Sequence, residues 1–391
     1  MVNGSVILGM VQVLQAPPLN SQNAQQYLLY NIILLILWFG IFPWFYEMFQ
    51  LWRYQSQVSG FLNRLRFFMN NNISQVLDFI MSKVNEDKRL IEGKIRDLME
   101  MVIIEPTSIE PEGLVRKYKM LINSYNDRLE RDVIRLIPSL SSNRPVVQNF
   151  TNVIDVLREL NFIYKVIDHY YRLAIKYKSY YLLIQLAAIL PLLKEEVDAL
   201  NGSVPVFLKG QPIGDSAGPL TVFRFKSLCS NLSVINNSVK DTYLASCMFK
   251  DRKVYLVKAE GPGGTVGHLD DAIKYIYEGI NARPKLMITI DAALKLEGEE
   301  SGSIAEGLGV AMGGIGVEKF NIESLATKYG TPIYAILIKM SMPEALNAMT
   351  KTIDEAVNKV VERLGKVVEA YTEPGDEVVI VGVGNTIGVA Q

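Results

Sequence analysis

Two carboxylates and a set of glycine-rich turns are the residues of this chain that could do chemistry. Asp215 sits in a Gly-Asp-Ser-Ala-Gly-Pro turn ahead of a helical pattern, with Pro219 suited to the first turn of that helix. Asp291 ends the apolar run LMITID. A charged residue that closes a buried strand serves either as a turn or cap or as an active-site group. If both lie in one cleft, like charge raises one pKa and leaves an acid beside a base, or the pair holds a metal. That is equipment for peptide hydrolysis without serine, cysteine or histidine.

Glycine-rich loops surround these aspartates in the sequence. They are KGQPIGDSAGP (209–219) with Gly214 and Gly218, EGPGGTVG (260–267) with Gly261, Gly263, Gly264 and Thr265, EGLGVAMGGIG (306–316) with Gly313 and Gly314, and GVGNTIG (382–388) with Gly384 and Asn385. Glycine admits close backbone approach, and a glycine turn that runs into a helix can offer N–H groups to an anion. These residues are the candidate ligand-binding positions. No loop continues into Gly-Lys-Ser/Thr and none has the dinucleotide spacing before a helix, so no cofactor is assigned. No metal is expected either; the one set that could hold one is Asp215, Asp291 and His268.

Composition narrows the classes further. The chain has 391 residues, 49% hydrophobic and 21% charged, with 40 Lys+Arg against 41 Asp+Glu. Disorder and a nucleic-acid partner are excluded on that balance. Two cysteines and two histidines exclude a disulfide scaffold and Cys- or His-rich metal cages. Cys229 and Cys247 read as buried apolar residues, and His169 as a bland one.

A mean hydropathy of +0.16 directs attention to the N-terminus. No Asp, Glu, Lys or Arg precedes Glu47, and residues 27–46 read YLLYNIILLILWFGIFPWFY. About 20 apolar residues span a bilayer core, and Trp38, Trp44, Tyr46 and Trp52 suit an interfacial belt. The expectation is a single-pass protein of the cell membrane: an extracytoplasmic tail over 1–26, a transmembrane helix over 27–46 and, because Arg53, Arg64 and Arg66 flank it, a cytoplasmic remainder.

The elements that must position the aspartates follow. Residues 47–200 carry helical periodicity, with one apolar stripe over 73–102, and are expected to form an all-α spacer through which the chain forms a homo-oligomer. From 203 to 391 apolar β-rich runs alternate with helical ones: VPVFL (204–208), YLASCMF (243–249), VYLVKA (254–259), KLMITID (285–291), PIYAILIK (332–339) and EVVIVGVG (377–384). This alternation predicts an α/β domain with a doubly wound, mostly parallel sheet. Ligands of such sheets lie beyond the carboxyl ends of the strands.

PIGDSAGPL, VKAEGPGGTVGHLDDAIKYI, KLMITIDAAL and the segment 301–336 resemble, in this order, the core of the bacterial spore-germination endopeptidases. The Gly-Asp-x-x-Gly-Pro turn and the Ile-Asp-Ala strand end resemble, more distantly, the hydrogenase-maturation endopeptidases. The resemblance implies a phosphorylase/hydrolase-like α/β fold with Asp215 and Asp291 as the catalytic pair. Two departures stand out: a Gly-Asn strand precedes the first aspartate in both groups but closes this chain as GVGN, and no histidine occurs at 338–342 where the maturation enzymes bind metal. The whole chain also resembles an archaeal membrane-protein family without assigned function. The expectation is a membrane-anchored, cytoplasm-facing, peptidase-like protein, with membrane lipid and a protein substrate as partners. The alternatives are a non-catalytic scaffold or sensor that binds a small anionic ligand or a partner through its glycine loops, and a structural membrane oligomer.

Overall fold

A computed structural model describes residues 21–104, 106, 111–235, 239–314 and 316–391. The expected tail over 1–26 lies outside the described residues as far as residue 20. The chain divides into two compact units, Met1–Phe61 with Tyr170–Ala188, and Leu62–His169 with Ile189–Gln391.

The helices of the first half are α1 (Ser21–Ile36), α2 (Phe42–Met81), α3 (Lys88–Met99), α4 (Pro111–Leu136), α5 (Arg144–Lys176) and α6 (Tyr180–Lys209). Among the described residues no helix is long and apolar enough to cross a membrane. The apolar run 27–46 includes a π-helical turn, Leu37–Ile41, which contains Gly40, and α2 follows at Phe42 with Pro43, which brings no backbone donor, in its first turn. The transmembrane helix expected over 27–46 is thus met by a helical path that passes through a π-helical turn rather than by one long apolar α-helix. Leu28, Leu29, Ile33, Leu35, Ile36, Phe39 and Phe45 are nonetheless exposed along this path.

In the second unit the helical residues build their own core. Leu65, Ile73, Val76 and Ile80 of α2, Ile91 and Ile95 of α3, Leu129 and Val133 of α4 and Ile154, Leu157 and Leu160 of α5 are all buried. Their spacing of three and four residues keeps one face of each helix inward. The stripe over 73–102 is two helices rather than one, because Asp87 accepts a hydrogen bond from the Arg89 N–H and caps a new start. VPVFL (204–208) belongs to α6 and not to a strand. Val204, Val206 and Phe207 are buried in that helix, so packing overrides their β preference.

The α/β part contains strands β1 (Ser230–Val234), β2 (Thr242–Phe249), β3 (Arg252–Ala259), β4 (Leu286–Leu294), β5 (Ile304–Leu308), β6 (Ile333–Met340) and β7 (Glu377–Gly382). They form one sheet in the order β1-β2-β3-β7-β4-β6-β5. β3, β7, β4 and β6 are mutually parallel, whereas β2 pairs antiparallel with β3, β1 antiparallel with β2, and β5 antiparallel with β6. The sheet is thus mixed, with a parallel centre. Its helices are α7 (Ala217–Phe225), α8 (Leu269–Lys274), α9 (Val317–Tyr329), α10 (Met342–Leu346) and α11 (Lys351–Tyr371).

Strand alternation sends Val378 and Ile380 into a core shared with Val222 of α7 and Val357 and Val360 of α11. It sends Val379 and Val381 into the opposite core, with Ile273 of α8 and Ile322 of α9. Side chains that alternate in this way, each contributing roughly 1.5–3 kcal/mol when fully buried, fix the register of β7 at the centre of the sheet. Cys229 and Cys247, expected as buried apolar residues, instead pair as a disulfide that joins the residue before β1 to β2, and only Cys247 is buried.

Candidate active site

The parallel centre places the carboxyl ends of β3, β7, β4 and β6 along one edge, and both aspartates lie there. Asp291 stands on β4 opposite Leu337 of β6, one position beyond the pairing of Ile290 with Gly382 of β7. It is only 6% exposed. Its Oδ1 accepts from the Ala292 N–H at 2.8 Å and its Oδ2 from the Gly313 N–H at 3.1 Å. The loop over 309–314 is held against β4 a second time, since the Ala311 N–H donates to Thr289 Oγ1 at 2.9 Å.

Asp215 belongs to the 3-10 turn Gly214–Ser216, which runs directly into α7. Its Oδ2 accepts from the Asn385 N–H at 2.8 Å. Two glycines make this approach feasible. A Cβ on Gly218 would lie 2.2 Å from the Val383 carbonyl and 2.5 Å from that of Ile290, so only glycine lets the first turn of α7 rest on the ends of β7 and β4. Gly384 has φ +124° and a Cβ there would lie 2.1 Å from the Asp215 carbonyl oxygen, so that turn also requires glycine. The same packing brings the 3-10 turn into contact with β4. GVGN is last in sequence but touches Asp215 in space.

The electrostatics follow from this placement. Burial, and after it the negative charge of Asp215, push the Asp291 carboxyl up to about 7, against the two backbone N–H groups that favour its ionised form. Burial also raises the Asp215 carboxyl, opposed by the Asn385 N–H. No salt bridge among the described residues involves either one. Two acids at one sheet edge, held by backbone donors and without a cation, can leave one carboxyl protonated near the ionised other at neutral pH, since the charge of Asp215 raises Asp291.

The other predicted positions divide by role. Gly263 and Gly264 admit close contact with α5: a Cβ on Gly263 would lie 1.9 Å from Gln148 Oε1, and one on Gly264 2.4 Å from Asn152 Nδ2. The Gly264 N–H donates to Asn149 Oδ1 at 2.7 Å, and its carbonyl accepts from Asn152 Nδ2 at 2.6 Å. Gly261 packs on Val389, and Gly214 on the Glu344 carbonyl of α10. The Thr265 carbonyl accepts from the Thr386 N–H at 2.9 Å, tying the loop over 260–267 to the turn after β7. Gly314 has φ +85° and open space around it. Asn385 reaches the helical region, donating through Nδ2 to Asn152 Oδ1 at 3.2 Å.

His268 precedes α8, and its backbone N–H donates to Thr242 Oγ1 at 2.7 Å. Among the described residues no group of three or more His, Cys, Asp or Glu side chains is placed to hold a metal, so Asp215, Asp291 and His268 do not form one ligand set.

Four charged residues escaped the sequence reading: Lys119, Asp270, Asp271 and Glu318. Asp270 of α8 is 2% exposed and receives Lys119 Nζ of α4 at 2.7 Å and Asn321 Nδ2 of α9 at 2.7 Å. Lys119 also bridges to Asp271 at 2.7 Å. Glu318, in the first turn of α9, is raised to about 7 by burial and by the charge of Asp270. A glutamate just after a glycine-rich loop was a visible signal for Glu318. Lys119 gave none, since its partners lie some 150 positions away in sequence.

The fold and site together define a mixed-sheet α/β module with paired carboxylates at the carboxyl edge of its parallel strands, joined to a helical region. Comparison with known families places the chain itself. Residues 32–210 match the family described as "Protein of unknown function (DUF1512) N-terminal domain", and residues 213–390 match "Domain of unknown function (DUF1512) C-terminal". The chain thus belongs to the DUF1512 family and carries both of its domains. No curated protein matches it.

Proposed function

We propose that the chain is an aspartate-dependent peptidase anchored at a membrane by its N-terminal apolar stretch. The observation that carries the catalytic reading is the pair Asp215 and Asp291: both carboxyls raised, neither matched by a cation, both at the ligand-binding edge of the sheet. In this reading the ionised member takes a proton from water as it attacks an amide carbonyl. The protonated member donates to the departing amine, and the pair then exchanges roles. A carboxyl near 7 keeps both protonation states populated at neutral pH.

The anchoring reading is supported by Leu28, Leu29, Ile33, Leu35, Ile36, Phe39 and Phe45, which the described residues leave exposed. A tight anionic ligand at the loop over 260–267 is disfavoured, because the cavity beside it is lined by Asp127, Glu130, Asp155, Asp241 and Glu318 against Lys240 alone among lysines and arginines.

The test is to incubate detergent-solubilised wild type, Asp215→Asn and Asp291→Asn proteins with a cell extract and compare fragments. Cleavage products present with wild type and absent with both variants are expected. The same fragments from all three would remove the peptidase reading. Retention of the wild type in the membrane pellet after alkaline carbonate extraction is expected of the anchor, and release into the supernatant would contradict it.

A further inference from the structure

A cavity of about 330 Å³ lies where α4 and α5 face the loop over 264–268, the first turn of α9 and Asn385. All of these residues belong to one compact unit. The volume falls in the range of small-molecule sites. Its charge is one-sided. Lys240 is tied to Asp127 at 2.6 Å, and Asp241 is paired with Arg144 at 2.5 Å. Asp155 accepts from the Tyr125 hydroxyl at 2.6 Å and has Arg158 at 3.6 Å. Glu130 and Glu318 remain, and neither enters an ion pair among the described residues. His268 also lines the cavity, and its buried Nδ1 has no hydrogen-bond partner.

We propose that this cavity binds a small organic cation rich in N–H donors, an amine or guanidinium compound, with Glu318 and Glu130 as its counter-charges. A donor from such a ligand would also satisfy His268 Nδ1, which in the neutral ring accepts when Nε2 carries the proton. The side-chain amides of Asn123 and Asn126 line the same space and offer further acceptors. An anion would have to displace the existing ion pairs and face the two unmatched carboxylates. A metal ion is not the natural occupant, since no three ligating side chains converge among the described residues. The site stands apart from the aspartate pair, to which Asn385 alone among its lining residues is hydrogen-bonded.

Isothermal titration of the full chain with spermidine and with agmatine, and with inorganic phosphate as control, tests this assignment. Saturable binding of at least one of the two amines and none of phosphate is expected. Glu318→Gln should weaken it by about tenfold, the loss of one charge-assisted hydrogen bond. Asn126→Phe, at an exposed position on α4, should fill the cavity and abolish binding while leaving the fold intact. Asp291→Asn should bind as wild type does, which separates this site from the peptidase reading. Absence of saturable binding to either amine, equal affinity in the Glu318→Gln and Asn126→Phe proteins, or loss of binding in Asp291→Asn would each overturn the assignment.

Discussion

The carboxyl edge of the sheet and the junction between α4 and α8 each bury an aspartate, and they treat it in opposite ways. At the junction Asp270 is 2% exposed but is met by the Lys119 ammonium and the Asn321 amide, both at 2.7 Å. At the edge Asp291 is 6% exposed and receives backbone N–H groups alone, beside a second acid whose charge opposes its ionisation. The first arrangement holds a helix to the α/β body. The second leaves a carboxyl at about 7, the condition in which it can give and take protons. Burial of an acid therefore says little about function until its partners are counted.

That contrast is sharpened by removing the partner at the junction. Lys119→Met leaves Asp270 buried without its cation and should destabilise the protein by about 3–5 kcal/mol, read from the denaturant midpoint at pH 7. A change within error would mean that Asp270 is no better compensated than Asp291, and the comparison would collapse.

Asp291→Asn should have the opposite sign. A carboxyl whose folded pKa is raised holds its proton longer in the folded state, so the wild type loses stability as pH rises from 3.8 towards about 7. Asparagine has no such term. The variant should gain on the order of a few kcal/mol over wild type at pH 8 and nothing below pH ~3.5, as followed by melting curves across that range. A variant less stable than wild type at pH 8 would show that the ionised carboxylate is favoured in the fold.

A smaller effect is expected from the turn that delivers the Asn385 N–H. Gly384→Ala forces a side chain into φ +124° and onto the Asp215 carbonyl. A loss of about 2 kcal/mol is expected from the backbone strain, with a shift of the Asp215 titration as the local readout. The smallest effect is Glu318→Gln, a gain of about 1 kcal/mol at pH 8, because Glu318 is only partly buried and solvent screens much of the effect of its raised pKa. An equal gain at pH 4 would show that protonation of Glu318 is not involved.

Much of the edge could be read from the sequence, because its strands announce themselves. YLASCMF, VYLVKA, KLMITID, PIYAILIK and EVVIVG are long and apolar, β-branched in all but the first, which has aromatic ends instead, and each is a strand. Asp215 and Asp291 were visible as polar residues in apolar or glycine-rich settings. β1 and β5 were not, since they are short edge strands whose residues stay largely exposed and give no alternation. VPVFL misled because a β-branched run is helical when the preceding turns of α6 and a buried face dictate it. The run over 27–46 has the length of a membrane helix, and its helical path changes from α to π over Leu37–Ile41 before resuming as α. The junction was opaque for a different reason: Lys119, Asn152 and Gln148 meet α/β residues about 90–150 positions away, and local pattern carries no information on such pairs.

The proposed chemistry needs the coupling of Asp215 and Asp291, and a site-resolved titration of the Asp291 carboxyl tests that coupling most directly. Carboxyl carbon shifts of aspartate-labelled protein, assigned by the Asp291→Asn spectrum, should give an apparent pKa of about 7 in wild type. In Asp215→Asn, where the neighbouring charge is gone, the value should fall while staying above the ordinary aspartate range, since burial remains. A wild-type value near 3.8, or one that does not move in Asp215→Asn, would contradict the coupled pair and with it the proposed chemistry.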